Sequence, residues 1–187
     1  MASTKRDDIL EAALALFAER GFHGTSVPEL AKVANVGPGT IYRNFENKEA
    51  LVNALYRHWK GQLIHEVFLA VPEDLPWRRR FRALWRNLFR FAKDNPGAID
   101  FLDLHHHGGY LDPQSQAVEA QSAATFLALV MSGQGDEVIV DLNPAALLAM
   151  VYGAFLGLVR AEAEGYVVLD DAFIGAAEER IWAMIRR

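Results

Sequence analysis

The chain has 187 residues, of which 51% are apolar and 23% charged, and this composition excludes an intrinsically disordered chain. The absence of cysteine excludes disulfides, thiolate metal sites and a cysteine nucleophile, and it fits a reducing cytoplasm. The net charge is -5, but residues 1–60 carry eight basic and seven acidic side chains whereas the remainder carries 11 and 17. A polyanion such as DNA is therefore expected to bind the first 60 residues and to be repelled by the acidic remainder.

The first helix is predicted from about Thr4 to Arg20, with Thr4 and Asp7 at capping-box spacing. Acidic side chains in this stretch exclude an export signal. Gly21 should end the helix in a left-handed conformation that brings Phe22 near Phe17.

Two short helices are predicted next, one from Ser26 to about Asn35 and one from about Pro38 to Phe45. Ser26 and Glu29 have the spacing of a reciprocal cap, and Asn35 tolerates a left-handed turn. Asn47 then caps a long fourth helix from Lys48 to about Ala70. Short helices joined by a tight turn after a longer helix form a helix-turn-helix.

Five short segments of this region form a specific pattern: Thr25-Ser26-Val27, Leu30-Ala31, Ala34-Asn35-Val36, Gly39-Thr40-Ile41-Tyr42-Arg43-Asn44-Phe45 and Asn47-Lys48-Glu49-Ala50-Leu51. The pattern resembles the TetR/AcrR DNA-binding signature, without a gap from about Arg6 to Leu55. The resemblance implies a three-helix head whose third helix enters the major groove, and a fourth helix whose start touches the backbone. Asn35 and Gly37 depart from the family pattern, which usually has glycine and a capping serine there.

The polar face of the third helix has the chemistry of a DNA contact. Gly39 lets the backbone approach closely, while Thr40 and Tyr42 offer hydroxyl groups and Arg43 a cation. Ile41 and Phe45 should face inward. The predicted DNA-binding residues are Thr25, Pro38, Gly39, Thr40, Tyr42, Arg43, Asn44 and Lys48. The alternative is an ordinary helical hairpin whose polar residues face solvent.

An apolar run from Ala145 to Val159 is too short to cross a bilayer, so no membrane contact is expected and the helix should be buried. Because it is apolar on all faces, a second copy of the chain should cover part of it. The predicted dimer interface comprises Ala149, Gly153, Gly157, Phe173, Ala177, Ile181 and Ile185. The alternative is that these helices complete a monomeric core.

Aromatic side chains are abundant in the middle of the chain and suit an apolar ligand site. The candidate pocket residues are Trp85, Phe89, Phe101, His105, Tyr110, Phe126, Tyr152 and Phe155, although each is more often a core residue. Arg78, Arg82, Arg86 and Arg90 recur at helical spacing and form either an anion site or a solvated face. The run His105-His106-His107 could place at most two ligands on one ion, so no metal or cofactor is predicted.

Together these features predict an all-α protein, with a helix-turn-helix DNA-binding domain in residues 1–47 and a helical ligand-binding and dimerisation domain in residues 48–187. The predicted function is a cytoplasmic transcriptional regulator, most simply a repressor, that binds a palindromic DNA operator as a homodimer and is released by an unknown small-molecule effector. A metal-assisted hydrolase built on the histidines is disfavoured, because no activated serine, phosphate loop or paired carboxylate with a base is present. A helical protein-interaction module is the third alternative.

Overall fold

The computed structural model describes residues 4–104 and 109–187, and in these residues the secondary structure is helical, with one isolated bridge between Ile139 and Arg186. The α-helices are α1 (Lys5–Arg20), α2 (Val27–Val33), α3 (Pro38–Asn44), α4 (Lys48–Ile64), α5 (Trp77–Asp94), α6 (Pro113–Gly135), α7 (Pro144–Ala163) and α8 (Asp171–Ile185). Two π-helical turns, His65–Leu69 and Asp100–Leu104, follow α4 and α5. The predicted all-α fold, with a helix-turn-helix head on a larger helical body, is confirmed.

The described residues divide into two compact units. Unit 1 holds the described residues up to Gln62 together with those of Asn95–Glu119, and unit 2 holds Leu63–Asp94 and Ala120–Arg187. Helices α4 and α6 therefore each contribute to both units. The predicted boundary after Asn47, between a DNA-binding domain and a ligand-binding and dimerisation domain, stays a prediction. The two units are defined by packing, whereas that boundary is defined by which partner each part binds.

Local capping signals start the first helices of unit 1. Thr4 and Asp7 form the predicted reciprocal cap of α1, and the Ser26 hydroxyl accepts a hydrogen bond from the amide of Glu29. The second half of the Ser26 cap is wrong: the Glu29 carboxylate bonds to Arg20 instead of returning to Ser26. This pair ties the end of α1 to the start of α2.

Glycine and asparagine close these helices at positive φ. Gly21 has φ 68° and ψ 178°, so its ψ lies outside the predicted left-handed helical region, but the Phe17 and Phe22 ring centres do meet at 6.1 Å. Asn35 has φ 51° and makes the tight turn between α2 and α3. The Val36 amide then donates to the Ala31 carbonyl, which fixes the angle at which α3 starts.

The core of unit 1 forms around the apolar stripe of α1. Its fully buried members include Ile9, Phe17, Leu30, Ile41 and Leu51, drawn from α1, α2, α3 and α4. One apolar face of each short helix is thus used for packing, and the opposite face is left for solvent or a partner.

Unit 2 is organised around α5, which packs against α7, α8 and the first π-helical turn. Ile139, Leu147 and Ile185 form one buried cluster in this unit. A chain of rings runs beside it, with centres 5.2 Å apart for Trp85 and Phe89 and 5.0 Å apart for Phe89 and Phe155.

Helix α7 is much less covered than its sequence predicted. Among the described residues it is the one helix that by length and composition could span a membrane, with a mean hydropathy of 1.6 and only 11% of the apolar window buried. The expectation that this helix is buried is therefore not met within one chain. Leu147 and Phe155 face the unit's own core, and most of the remaining surface faces out.

Candidate nucleic-acid interface

The outer face of α3 brings six of the predicted contact residues together. Pro38, Gly39, Tyr42, Arg43 and Asn44 are exposed, and Thr40, the sixth, is half-buried. Tyr42 is 56% exposed, so its phenol is available at the surface. Ile41 is the buried residue of this seven-residue helix, so one side of α3 packs on the core and the other lies at the surface.

The polar side chains on this face are already ordered by one another. Arg43 Nη2 donates to Thr40 Oγ1 at 2.9 Å, and Asn44 Nδ2 donates to the Thr40 carbonyl at 2.8 Å. A guanidinium has five N–H donors, so Arg43 keeps donors for a ligand while one of them fixes its direction.

Two glycines at the start of α3 are not required by the packing of the chain. A Cβ atom built on Gly37 or Gly39 meets no other atom within 4 Å, and Gly37 has an ordinary φ of -72°. Neither a left-handed conformation nor a crowded neighbour therefore explains them. Without side chains, both positions leave the backbone accessible to a close neighbour.

Thr25, which was also predicted to contact DNA, is buried and does not belong to the exposed face of α3. Its side chain is 2% exposed, and its hydroxyl lies 3.0 Å from the Gly21 carbonyl oxygen and 3.3 Å from that of Leu16. The hydroxyl therefore serves the connection between α1 and α2, and it is not presented to a phosphate.

Lys48 lies at the start of α4 and is half-buried. Its ammonium donates to the Thr25 carbonyl at 2.7 Å and lies 4.1 Å from the centre of the Phe22 ring. Burial lowers the pKa of this ammonium, partly countered by Glu49. Lys48 thus positions the start of α4, and two of its three N–H donors are left for another acceptor.

Sequence reasoning missed the outer side of α2. Ser26, Pro28, Glu29, Lys32 and Val33 line a shallow open groove there. Lys32 is exposed and adds a cation to unit 1. The charge of Lys32 was visible in the sequence, but its direction depends on how α2 packs on α1.

The residues predicted for a dimer interface are mostly at the surface of unit 2. Ala149, Gly153, Gly157 and Phe173 are exposed, and Ala177 and Ile181 are half-buried. A Cβ on Gly153 or Gly157 meets nothing within 4 Å. Ile185 is different, because it is buried in the core cluster of its own unit and cannot face a partner.

The residues predicted for a ligand pocket are divided between the two units. Phe101 and Tyr110 belong to unit 1, where the Tyr110 ring stacks on Phe22 at 4.5 Å. The remaining described members belong to unit 2: Trp85, Phe89, Phe126, Tyr152 and Phe155. His105, like His106 and His107, lies outside the described residues. Within the described ranges, no group of three histidine, aspartate or glutamate side chains could hold a metal ion.

The four arginines of α5 that recur at helical spacing fall into two pairs with different surroundings. Arg78 and Arg82 both bond to Glu178 of α8, a carboxylate that is only 2% exposed. Arg86 and Arg90 are exposed. Glu178 was not singled out from the sequence, since nothing distinguishes it from the adjacent Glu179 until α5 and α8 are paired.

Two family models match the chain in consecutive stretches. Residues 9–55 match the model of bacterial regulatory proteins of the tetR family, and residues 61–187 match the C-terminal domain described as tetracyclin repressor-like. The first match contains the whole α3 face, and the second covers more than half of the chain.

Individual proteins agree with the family models. The chain is 31% identical over 161 residues to the uncharacterized HTH-type transcriptional regulator YhgD of Bacillus subtilis, covering 85% of this chain and 84% of that protein. It is also 31% identical over 96 residues to an uncharacterized HTH-type transcriptional regulator of Haemophilus influenzae, where the match spans 51% of each. The chain thus spans about half or less of the length of the first curated relatives that it matches. A solved TetR family transcription regulator from Marinobacter aquaeolei is 27% identical with a TM-score of 0.87, covering 97% of this chain and 95% of that one.

Proposed function

The chain belongs to the TetR family of bacterial regulatory proteins, and on this premise we propose that it is a ligand-responsive transcriptional repressor. It binds a palindromic DNA operator as a homodimer in the cytoplasm, and a small-molecule effector releases it. The observation that carries the proposal is the outer face of α3, where ordered polar side chains surround a backbone left bare by Gly37 and Gly39.

The side chains of α3 have separate roles in this proposal. Arg43 and Asn44 have donors of the kind that read base edges, and the Tyr42 phenol suits a phosphate or a base. Thr40 orients Arg43 through its hydroxyl. Lys48 donates to a backbone phosphate with the N–H groups that the Thr25 carbonyl does not use.

We infer dimerisation from the exposed apolar surface of α7 and α8. Gly153 and Gly157 on α7 let a partner helix approach closely, and Phe173 on α8 supplies apolar area. A second copy that presents the same face would remove this surface from water, whereas a monomer would leave it exposed. We do not place α7 in a membrane, because Leu147 and Phe155 on its inner side belong to the core of unit 2.

The effector is proposed to be a small, largely apolar molecule that binds among the aromatic side chains of unit 2. Trp85, Phe89 and Phe155 are buried and in ring contact, and Tyr152 continues the chain at 5.7 Å from Phe155. A ligand at this place has to part rings that now touch. Its binding energy is therefore coupled to a rearrangement of the helices that carry them.

The experiment that tests the DNA contact compares two glycine-to-alanine variants. Both Gly39 and Gly61 have open space at the Cβ position, and Gly61 lies in α4 away from the α3 face. Alanine is the better helix former by up to about 1 kcal/mol, so neither substitution should lower the melting temperature. Operator fragments are first selected from random DNA with the unmodified protein, and the affinities of both variants are then measured on them.

Gly39→Ala is expected to weaken operator binding about tenfold, because the added methyl group separates the backbone from the DNA. Gly61→Ala should bind as the parent does. No enrichment of a palindromic sequence by the parent, or equal affinities of the two variants, contradicts the proposal.

A further inference from the structure

Helix α5 holds most of the positive charge of the chain after residue 60. Seven of the 11 basic residues in this part of the sequence lie in its 18 residues, together with one acidic residue, Asp94. The rest of this part has four basic and 16 acidic residues. The negative charge that is expected to repel DNA therefore lies outside α5, and this one helix of unit 2 is strongly positive.

The exposed surface of α5 is formed by charged side chains. Its apolar side chains are all buried or half-buried, and its exposed residues are Arg79, Arg82, Arg86, Arg90, Lys93 and Asp94. Arg82 bonds to Glu178, but no described carboxylate forms an ion pair with any of the other four cations. We call these four the basic stripe: Arg79, Arg86, Arg90 and Lys93. Since a helix turns about 100° and rises about 1.5 Å per residue, they lie within about 60° of one another around α5 and span about 21 Å along it.

This arrangement of charge is unfavourable for a helix that faces only water. Like charges three or four residues apart destabilise a helix, whereas a carboxylate at this spacing stabilises it. Arg86 follows Arg82 by four residues, Arg90 follows Arg86 by four, and Lys93 comes three residues later. Of the two interpretations of these arginines, an anion site or a solvated face, the spacing thus favours an anion that compensates the repulsion.

Among anionic partners, the phosphate backbone of a DNA duplex fits the basic stripe best. A helix that lies on a membrane buries apolar side chains between the head groups, and α5 exposes none. A duplex carries one phosphate per about 1.7 Å of its axis, so a row of cations about 21 Å long lies beside about 12 phosphates in any register. Arginine supplies three of the four cations, and its planar guanidinium donates to two phosphate oxygens at once.

We propose that the basic stripe is a second DNA-contact surface, which binds the backbone of a duplex without reading its sequence. This contact goes beyond operator recognition by α3 and does not require it. It adds an attraction that is independent of sequence and strongly dependent on salt, and it lengthens the time that the protein spends on DNA between operators.

Binding to DNA that contains no operator measures the contribution of the basic stripe. A fluorescent duplex of about 40 base pairs and random sequence is titrated with the full chain at about 50 to 200 mM salt. The stripe variant combines Arg79→Gln, Arg86→Gln, Arg90→Gln and Lys93→Gln. The control variant loses the same charge from the other four basic residues after residue 60, all of them exposed: Arg160→Gln, Arg180→Gln, Arg186→Gln and Arg187→Gln. Circular dichroism and sedimentation check that both variants keep the parental fold and assembly.

The stripe variant is expected to bind the random duplex at least about tenfold more weakly than the parent at about 50 mM salt. The slope of log affinity against log salt should fall by about 3 to 4, because each lost phosphate contact removes about 0.9 from it. The control variant should keep the parental slope to within about one. A stripe variant with the affinity and slope of the control overturns the proposal.

Chemical protection locates the contact without any substitution, so it decides even if the stripe variant does not fold. Phenylglyoxal modifies accessible guanidinium groups, and mass spectrometry gives the rate at each arginine with and without the random duplex. The duplex is expected to slow the modification of Arg86 and Arg90 at least about threefold and to leave Arg160 unchanged. Protection of Arg43 without protection of Arg86 and Arg90 contradicts the proposal.

These measurements separate the basic stripe from the proposed function. If the parent selects no operator but the random duplex protects Arg86 and Arg90, the operator proposal fails and the basic stripe stands. If the parent binds an operator and the stripe variant binds random DNA as the control does, the basic stripe fails alone. Vesicles of phosphatidylglycerol and phosphatidylcholine are the second probe: vesicle binding that the stripe variant loses, with unchanged binding to the duplex, would assign this face to a membrane and overturn the proposal.

Discussion

Substitution of Glu178 should destabilise the protein more than any other single change of a carboxylate in the described part of unit 2. The side chain is 2% exposed and accepts hydrogen bonds from Arg78 at 3.1 Å and from Arg82 at 3.3 Å. Removing one partner of a buried ion pair costs about 3 to 5 kcal/mol, because the other charge is left without compensation. The arginine side chains here are 33% and 50% exposed, so water can hydrate them and the cost falls to about 2 to 3 kcal/mol.

For a chain of this size, that loss lowers the melting temperature by about 4 to 12 °C. The assay is thermal and urea unfolding of Glu178→Ala, with the neighbouring Glu179→Ala as the matched control. Glu179 is exposed, and its removal should change the unfolding free energy by less than about 0.5 kcal/mol. Equal stability of the two variants would show that the paired arginines do not depend on the buried carboxylate, and the reasoning would be refuted.

Gly153→Glu should convert the proposed dimer to a monomer in sedimentation experiments while helix content is retained, and a dimer of unchanged affinity would exclude the α7 surface as the interface. The hydrogen bond from the main-chain amide of Ser115, and to a lesser degree Arg57, lowers the pKa of Asp112. The ionised Asp112 therefore stabilises the fold above the ordinary pKa of 3.8, and this stabilisation is lost as the pH falls below about 4. Asp112→Asn should make the unfolding free energy less dependent on pH in this acid range. Arg43→Ala should reduce the salt dependence of operator binding by about one ion per subunit, whereas Thr25→Val should leave the slope unchanged and lower only the unfolding free energy.

The sequence was most informative where structure depends on neighbours in the chain. The Thr4 cap, the bond from the Glu29 amide to the Ser26 hydroxyl and the turn at Asn35 are decided within a few residues, and the structure confirms them. Glu29 shows the limit of this reasoning. Its spacing favours a bond to Ser26, but α2 packs beside the end of α1, and the charge of Arg20 competes successfully for the carboxylate.

The site could be predicted only in part for the same reason. The exposed side of α3 follows from helical periodicity, because burial of Ile41 and Phe45 leaves Tyr42 and Arg43 outside. Thr25 could not be placed in this way. It lies in a connection with no periodicity, and only the packing of α1 on α2 shows that its hydroxyl is enclosed. The buried amide of Asn53 was also missed, because the main-chain groups of Tyr110 and Asp112 to which it bonds are 57 and 59 residues away.

The structure shows which of the few cations in the first 60 residues form ion pairs within the chain and which stay unpaired with a carboxylate at the surface. Several of their cations are used within the chain: Arg20 by Glu29, Arg57 by Asp112, and Lys60 by Glu119. Such pairs contribute little attraction for a distant polyanion, so they serve the architecture of unit 1. Arg43 is oriented by a neutral hydroxyl instead and keeps its full charge at the surface. In the proposed complex with DNA, recognition therefore depends on where a few cations are held, and the bonds from Arg43 to Thr40 and from Lys48 to the Thr25 carbonyl set two of these positions.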